Sequence, residues 1–477
     1  MHHPFDRYSA YTDVAALKEF SGRPLRKCMR VNTSKLSIAD FEKHAKEQKW
    51  NLQPVPWCQE GFFVDRKDRS VPLGKDLLHV LGYTYMQEAS SMLPVAMLDP
   101  RPGEKILDMA AAPGSKSTQI VARLRGKGFV VCNDMQEMRL KTLREALRRL
   151  SCITALVTKR KGQWFGKHMV GRFDKVLIDA PCTGQGTVRK DKSALQYCSL
   201  DSIGKNAKLQ RELIESAVHA TKIGGRIVYS TCTLTPEENE EVVLSILRKY
   251  PEQLEAVDPR TIPLEGREWN MDKAIEDSML MQKDLSDYTS DQPMLRIWPQ
   301  TYDSEGFFCA VLKKIGPTAE PLMTDLVKPR EEIIPRSREK QISNYLVDHF
   351  GMDPIGEDEM LVEHDGRYLL TSKAIFNFKL PTPNVGLGLP FGKKIASDPV
   401  LLDHDFLTLR GSSATKHIIE LTDEEWKEVI SGKDIACSEE LFGHIAFKYN
   451  GICVGRGRAK NGKCKNQLPR WMITISN

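Results

Sequence analysis

From Lys105 onward, short apolar runs alternate with stretches in which apolar residues recur every three or four positions. The runs Lys105–Met109 (KILDM), Gly128–Asp134 (GFVVCND), Ala155–Val157 (ALV), Phe173–Asp179 (FDKVLID), Gly225–Ser230 (GRIVYS) and Gly306–Leu312 are apolar almost throughout. Strands covered on both faces by helices read this way. Helical periodicity follows Gly114 and continues over Met138–Leu150, Leu209–Thr221 and Glu237–Lys249. The alternation predicts a parallel α/β sheet. Leu140, Leu143, Leu147 and Leu150 form one stripe with basic residues between them, a core-facing surface and not a chemical one.

The pattern lapses between Tyr250 and Gln300, a polar, proline-containing excursion that reads as a long surface insertion without an assigned role. Prolines 317, 321, 329 and 335 then mark a linker. Beyond it, strand-like runs at Tyr368–Leu370, Phe406–Leu409 and His444–Phe447 are punctuated by Gly and Pro. One helix is well signalled there: Thr422 and Glu425 make a capping box, and Gly432 ends the segment. This predicts a small β-rich α+β module. The portion before Asp99, with Arg30-Val31-Asn32-Thr33 and Met86-Gln87-Glu88-Ala89-Ser90-Ser91, reads as mixed α+β.

Composition narrows the class. A chain of 477 residues, 41% hydrophobic and 28% charged, is globular and large enough for more than one domain. No run approaches the ~20 apolar residues of a membrane span, and the N-terminus lacks the parts of a secretory signal, so the expected location is cytoplasmic, with no membrane partner. Eleven cysteines without a CxxC pair predict reduced thiols and no metal site. The net charge of +6 is modest, but its distribution is not: no acidic residue follows Leu441, while Lys448, Arg456, Arg458, Lys460, Lys463, Lys465 and Arg470 accumulate. Such clustering favours a polyphosphate partner.

The candidate chemistry lies at strand exits. Cys182 in Asp179-Ala180-Pro181-Cys182-Thr183-Gly184 and Cys232 in Tyr229-Ser230-Thr231-Cys232-Thr233 each follow an apolar strand, and open α/β sheets place ligands beyond the carboxyl ends of their strands. Both thiols are therefore expected in one crevice. Asp108-Met109-Ala110-Ala111-Ala112-Pro113-Gly114-Ser115-Lys116 joins the first strand to a helix with small residues that admit a ligand close to the backbone. It matches neither GxGxxG nor the P-loop. Lys116 and the helix-start N–H groups suit a carboxylate, and Asp134, after the second strand, suits a ribose diol. S-adenosylmethionine carries both groups. A thiolate that adds to C6 of a cytosine makes C5 nucleophilic toward a sulfonium methyl, and a second thiol can assist release. Asp179 is placed to hold the N3/N4 edge of the base. The cations Lys116, Arg189 and Lys190 are candidates for lowering the thiol pKa.

DMAAAPGSK, DAPCTGQG, YSTCT followed by PEENE, and the upstream RVNT and QEASSM together resemble the signature set of the Sun-family RNA cytosine-C5 methyltransferases, from about Arg23 to Lys314. The C-terminal half, with CVGRGRAKNGKCKNQLPR, is similar to the PUA-like extension of the bacterial member that methylates 16S ribosomal RNA. The resemblance implies a Rossmann-like methyltransferase domain at 99–315, an N-terminal RNA-binding subdomain at 1–98, a linker at 316–335 and a PUA-like RNA-binding region at 336–477. It makes Cys232 the nucleophile, Cys182 the thiol that releases product and Asp179 the base contact. Ala111, Ala112, Pro113, Gly114, Ser115, Lys116, Asp134 and Asp179 then serve S-adenosylmethionine. One departure stands out: Lys161 occupies the place of the family's acidic adenine contact, and a lysine cannot accept from the adenine amine.

The expected reaction is methylation of C5 of a cytidine in RNA, 16S ribosomal RNA before tRNA, by a monomer that does not act on DNA. Trp164, Phe165 and Tyr197 are candidate stacking partners for an extruded base. The rivals are a DNA cytosine-C5 methyltransferase, whose nucleophile would lie in the Pro-Cys motif, and an RNA-binding ribosome-assembly factor with a decayed cofactor site.

Overall fold

In the computed structural model, the described residues are 3–283, 285, 291–322, 325–352, 355–395 and 398–475, with the side chains of Tyr197, Thr474 and Ile475 outside the description. The chain divides into two compact units: Met1–Lys67, Tyr85–Arg144 and Val157–Leu326 form the first, and Asp68–Thr84, Glu145–Leu156 and Val327–Asn477 the second.

The first unit opens on strands β1 (Cys28–Val31), β2 (Trp50–Val55), β3 (Cys58–Arg66) and β4 (Thr84–Met86), in the order β2-β3-β1-β4. Every residue of β1 is buried, and its antiparallel register on β3 sets Cys28 opposite Phe63 and Arg30 opposite Gly61.

The main sheet follows. Its strands are β5 (Lys105–Asp108), β6 (Phe129–Asn133), β7 (Ala155–Thr158), β8 (Phe173–Asp179), β9 (Thr221–Thr231), β10 (Leu254–Ala256), β11 (Leu295–Ile297) and β12 (Phe307–Lys314). The order is β10-β12-β9-β8-β5-β6-β7, with β11 paired to β12. β5 is parallel to β6 and β8, and β8 is parallel to β9, whereas β12 is antiparallel to β9. Ile106, Leu107, Val130, Val131, Val176, Leu177, Ile227 and Val228 are fully buried, so these runs are apolar because both sheet faces are covered. The architecture is the α/β, Rossmann-like one expected. After β7 the chain returns to place β8 beside β5, and this reversal opens a crevice past the carboxyl ends of β5 and β8.

The excursion between Tyr250 and Gln300 corrects the expectation of a surface insertion. It contributes β10 and β11 to the sheet and carries a helix, Asp272–Lys283. Ala274, Met281, Leu295, Ile297 and Trp298 are buried. Its polarity misleads because Arg296 is itself core: completely buried, it pairs with Glu240, also completely buried, and donates to the Leu234 carbonyl at 2.7 Å.

The second unit holds two five-stranded sheets. One comprises Glu332–Ile333, Glu359–His364, Arg367–Ser372, Leu389–Lys393 and Leu401–Leu402; the other comprises Ile418–Glu420, Ile435–Ala436, Gly443–Tyr449, Ile452–Lys460 and Lys463–Asn466. The capping box forms as expected: Thr422 accepts from the Glu425 N–H at 3.2 Å and Glu425 from the Thr422 N–H at 2.9 Å. Phe406–Leu409 is not a strand but part of a helix, His404–Arg410, started by Asp403, whose carboxylate accepts from the Asp405 N–H at 3.1 Å. Among the described residues, no helix is long and apolar enough to cross a membrane, and no cluster of metal-ligating side chains is found.

Candidate active site

The pairing of β8 with β9 sets Asp179 opposite Ser230, and two strand-exit loops start from that pair. They bring the Cys182 and Cys232 sulfurs to 3.4 Å. Both cysteines are partly exposed, as is Cys198, whereas Cys28, Cys58, Cys132 and Cys309 in the same unit are buried. Hydrogen bonding to Cys232, with burial second, pushes the Cys182 thiol well above its ordinary range.

The loops are held by a network that explains the PEENE segment residue by residue. Glu238 is completely buried. It accepts from the Thr183 N–H at 3.1 Å, from Gln210 at 3.0 Å, from Thr235 Oγ1 at 2.9 Å and from the Thr183 hydroxyl. Asn239 takes the Thr231 hydroxyl and donates to the Thr233 carbonyl at 3.1 Å, spanning the Cys232 turn. Glu240 is the partner of Arg296. Gly186 donates to the Cys232 carbonyl and accepts from Gly306, both at 2.9 Å. A Cβ at Gly186 would meet the Gly306 oxygen at 2.1 Å and the Cys232 oxygen at 2.7 Å, so only glycine fits.

Asp179 faces the thiols with its carboxylate held at both oxygens. Oδ2 pairs with Lys116 Nζ at 2.7 Å and Oδ1 accepts from Ser230 Oγ at 2.9 Å. Lys116 also donates to Ser91 at 3.1 Å. Burial opposes its charge, but Asp179 outweighs burial and keeps Lys116 protonated, with contributions from Asp108 and Cys232. Of the three cations considered for the thiols, Lys116 interacts electrostatically with Cys232. Arg189 pairs with Asp303 at 2.8 Å and donates to the Pro24 and Ser304 carbonyls at 2.8 and 3.2 Å. All three cations act on Glu305.

The loop after β5 is stitched to both neighbours: the Met109 N–H donates to Leu177 at 2.9 Å and the Ala111 N–H to Asn133 at 2.7 Å. Ala112–Pro113 is cis, and Gly114, at φ 110°, precedes the helix Ser115–Leu124 without a side-chain cap. A helix start of this kind presents N–H groups to an anion. Asp134 is 4% exposed. One oxygen accepts from the Gln136 N–H at 2.9 Å. The other lies 3.3 Å from Arg139, but no hydrogen bond is aligned on it. That buried, unfilled acceptor fits a ribose hydroxyl. Ala111, Ala112, Pro113, Gly114, Ser115, Lys116 and Asp134 thus lie around the exits of β5 and β6. Lys161 is exposed.

Several contributors had no assigned role. Arg30, fully buried, donates to the Ser115 carbonyl at 2.7 Å and Thr118 Oγ1 at 2.8 Å, tying RVNT to the helix start. Glu88 accepts from the Glu305 N–H at 3.1 Å and the Ser91 N–H at 3.2 Å. Burial, reinforced by Glu88, pushes the Glu305 carboxyl up to about 8. The RVNT and QEASSM segments were visible, but nothing local shows that they brace the loop. Phe165 is fully buried, edge-on to Phe173, and is core, not a base-stacking surface. Trp164 stacks on His168 at 4.8 Å, and the Tyr197 side chain lies outside the described residues.

Three family descriptions match the chain: "16S rRNA methyltransferase RsmB/F" over residues 95–313, "N-terminal domain of 16S rRNA methyltransferase RsmF" over 8–89, and "Methyltransferase RsmF PUA domain" over 416–474. Ribosomal RNA small subunit methyltransferase F of Psychromonas ingrahamii is 36% identical over 466 residues, covering 95% of this chain and 92% of its own. The protein of that name from Shewanella oneidensis is 36% identical over 464 residues, covering 94% and 91%. Among solved structures, a methyltransferase homolog from Pyrococcus horikoshii has 31% identity and a TM-score of 0.53, covering 65% of this chain and 93% of its own. An NSun6 from the same organism, solved with SFG, shares the fold at 22% identity and a TM-score of 0.54, covering 66% and 98%.

Proposed function

The chain belongs to the 16S rRNA methyltransferase RsmB/F family, and on that premise we propose that it methylates C5 of a cytidine in 16S ribosomal RNA, in the cytoplasm, through a cysteine adduct. The observation that carries this reading is the 3.4 Å approach of two partly exposed thiols beside an anchored carboxylate. Cys232 adds to C6, forming the S–C6 bond and leaving C5 electron-rich. The Lys116 ammonium interacts with the Cys232 sulfur. Asp179, fixed by Lys116 and Ser230, accepts from the N4 amine and the protonated N3, which favours the adduct. S-adenosylmethionine supplies the methyl group as an electrophile on sulfur. Solvent water takes the C5 proton, the freed electron pair restores the C5=C6 double bond as the S–C6 bond breaks, and the Cys182 thiol, kept protonated by its surroundings, donates its proton to the departing Cys232 sulfur.

The residues fit that cofactor. Ala111 to Gly114 allow close approach, the start of the Ser115–Leu124 helix takes the carboxylate, and Asp134 offers its unfilled oxygen to the ribose. Lys116 links this pocket to Asp179. Residues 1–98 and 336–477, the latter with its basic tail, contribute RNA-binding surface to the 99–315 catalytic domain, and 316–335 is the linker. Phosphate contacts of this kind orient RNA without reading its sequence.

The test is methyl transfer from labelled S-adenosylmethionine to small ribosomal subunits, free 16S RNA and tRNA from cells lacking this protein. RNA carrying 5-fluorocytidine serves to trap the adduct. One labelled cytidine in 16S RNA is expected, with no adduct for Cys232→Ala and accumulated adduct for Cys182→Ala. Label only in tRNA would overturn the substrate, and an adduct that requires Cys182 but not Cys232 would overturn the mechanism.

A further inference from the structure

A further cleft lies within the second unit. The helix Arg336–Tyr345, continued by a wider turn through Leu346–Phe350, buries Ile342, Leu346 and Phe350 in the core. Its other face presents Arg338, Gln341, Asn344 and Asp348 to a cleft of about 810 Å³, a volume in the range of small-ligand sites, roughly 300–1,000 Å³. Lys394 and Asp398 line the opposite side. One end is closed by aromatic rings. Tyr345 stacks on His349 at 5.1 Å, 12° from parallel, and His349 on His417 at 3.8 Å and 20°. Phe442 stands edge-on to His417 at 5.1 Å and is 65% exposed, an unusual position for a large apolar ring.

The ladder is fastened from behind. His349 Nε2 bonds the His444 carbonyl and His417 Nδ1 the His349 carbonyl, each at 2.7 Å, while Tyr345 Oη meets His444 Nδ1 at 3.2 Å. Burial holds His349 below its ordinary pKa, so at neutral pH it stacks as an uncharged ring. Rings fixed this way present a flat surface at little entropic cost, and Phe442 leaves a π face open. The walls combine the rings, Ile395 and Pro399 with amides, carboxylates and cations, so an occupant has to offer a flat apolar face together with polar edges. That combination suits one unstacked nucleotide: the base on the exposed Phe442 ring with His417 at its edge, its donor edge toward Asp348 or Asp398, and its phosphate toward Lys394, while Arg338, bonded to Tyr368 Oη, Gln341 and the Pro399 carbonyl, adds positive charge from the wall.

We infer that this cleft binds an unpaired nucleotide of the RNA, through a base that carries an amino group, as a holding site separate from the catalytic one. The inference rests on RNA being the substrate. It is tested with the full chain and the variants Phe442→Ala and His417→Ala, by filter binding to 16S RNA, steady-state methyl transfer, and mass-spectrometric mapping of RNA photo-crosslinks. Loss of one base–aromatic stack is expected to weaken RNA binding between about 5-fold and about 150-fold. KM for RNA should rise, while kcat at saturating RNA, S-adenosylmethionine affinity and thermal midpoint stay unchanged, and wild-type crosslinks should include Phe442. Binding within twofold of wild type for both variants overturns the cleft and leaves the enzyme reading intact. Wild-type protein that neither binds nor methylates RNA overturns both. Crosslinks from Phe442 to a protein of the assembled subunit would replace the nucleotide with a protein partner.

Discussion

Asp108 sets a pH dependence that can be worked out in advance. It ends β5 at 1% exposure, accepts from Ser117 Oγ at 2.6 Å through Oδ2, and has no hydrogen bond on Oδ1. Burial, with Asp179 and Asp134 nearby, pushes its carboxyl up to about 7 from the ordinary 3.8. A carboxyl raised by folding binds its proton more tightly in the native state. Its contribution is therefore complete below about pH 4 and is lost as pH rises through about 7. Between pH 5 and pH 8 the two pKa values give a loss of about 3 kcal/mol from this group alone. Asp108→Asn keeps the shape and an acceptor for Ser117 but cannot ionise. Denaturant unfolding of wild type and variant at both pH values cancels all other titrations in the difference. The variant should gain about 3 kcal/mol on wild type from pH 5 to pH 8. A gain below about 1 kcal/mol, less than one pKa unit, would refute the reasoning.

Three further substitutions probe how the site is held. Arg296→Met leaves Glu240 charged and unpaired at zero exposure and should cost about 3–5 kcal/mol in denaturant unfolding; a cost near zero would mean that the pair is dispensable. Gly186→Ala pushes a methyl into two backbone carbonyls; methyl transfer should fall at least about tenfold, the effect of roughly 1.4 kcal/mol, with S-adenosylmethionine still bound, and a kcat within twofold of wild type would contradict this. Arg30→Met removes two bonds to the helix start; calorimetric titration should show S-adenosylmethionine affinity reduced roughly tenfold, about one charge-assisted hydrogen bond, and unchanged affinity would make Arg30 a matter of stability alone.

The main sheet and the meeting of the two thiols were legible because both follow from periodicity. Runs apolar on both faces predict parallel strands, and parallel strands put their exits on one edge, so Asp179 and Ser230 had to lie together. What could not be read was decided by distant partners. Phe406–Leu409 is a mostly apolar run of four residues, too short to distinguish periods, and the Asp403 cap makes it helical. Arg296 reads as surface until Glu240 is known to meet it. Phe165, followed in sequence by glycine and lysine, looked available for stacking, but β8 covers it through Phe173. The segments 68–84 and 145–156 join the second unit through contacts such as Tyr83 Oη to the Thr408 carbonyl at 3.3 Å and Arg148 to Asp405 at 2.8 Å. No local pattern announces such a contact.

The polar residues around the thiols show how the reactive geometry is kept without constraining the reactive atoms. Glu238 bonds to Thr183 in one loop and to Thr235 in the other, so one buried carboxylate sets the spacing of both cysteines. Asn239 fixes the turn on either side of Cys232 through Thr231 and Thr233. Glu240 attaches the same segment to Arg296, and Arg296 returns to the Leu234 carbonyl. Three consecutive side chains thus hold the Cys232 turn, and the sulfur meets Cys182 and the field of Lys116. Groups buried this deeply would be costly if left unpaired, so the network is stable only when both loops are in place. Within the excursion from Tyr250 to Gln300, Arg296 neutralises the carboxylate that anchors the Cys232 turn. Damage there should lower the rate by misplacing Cys232 while the cofactor pocket stays formed.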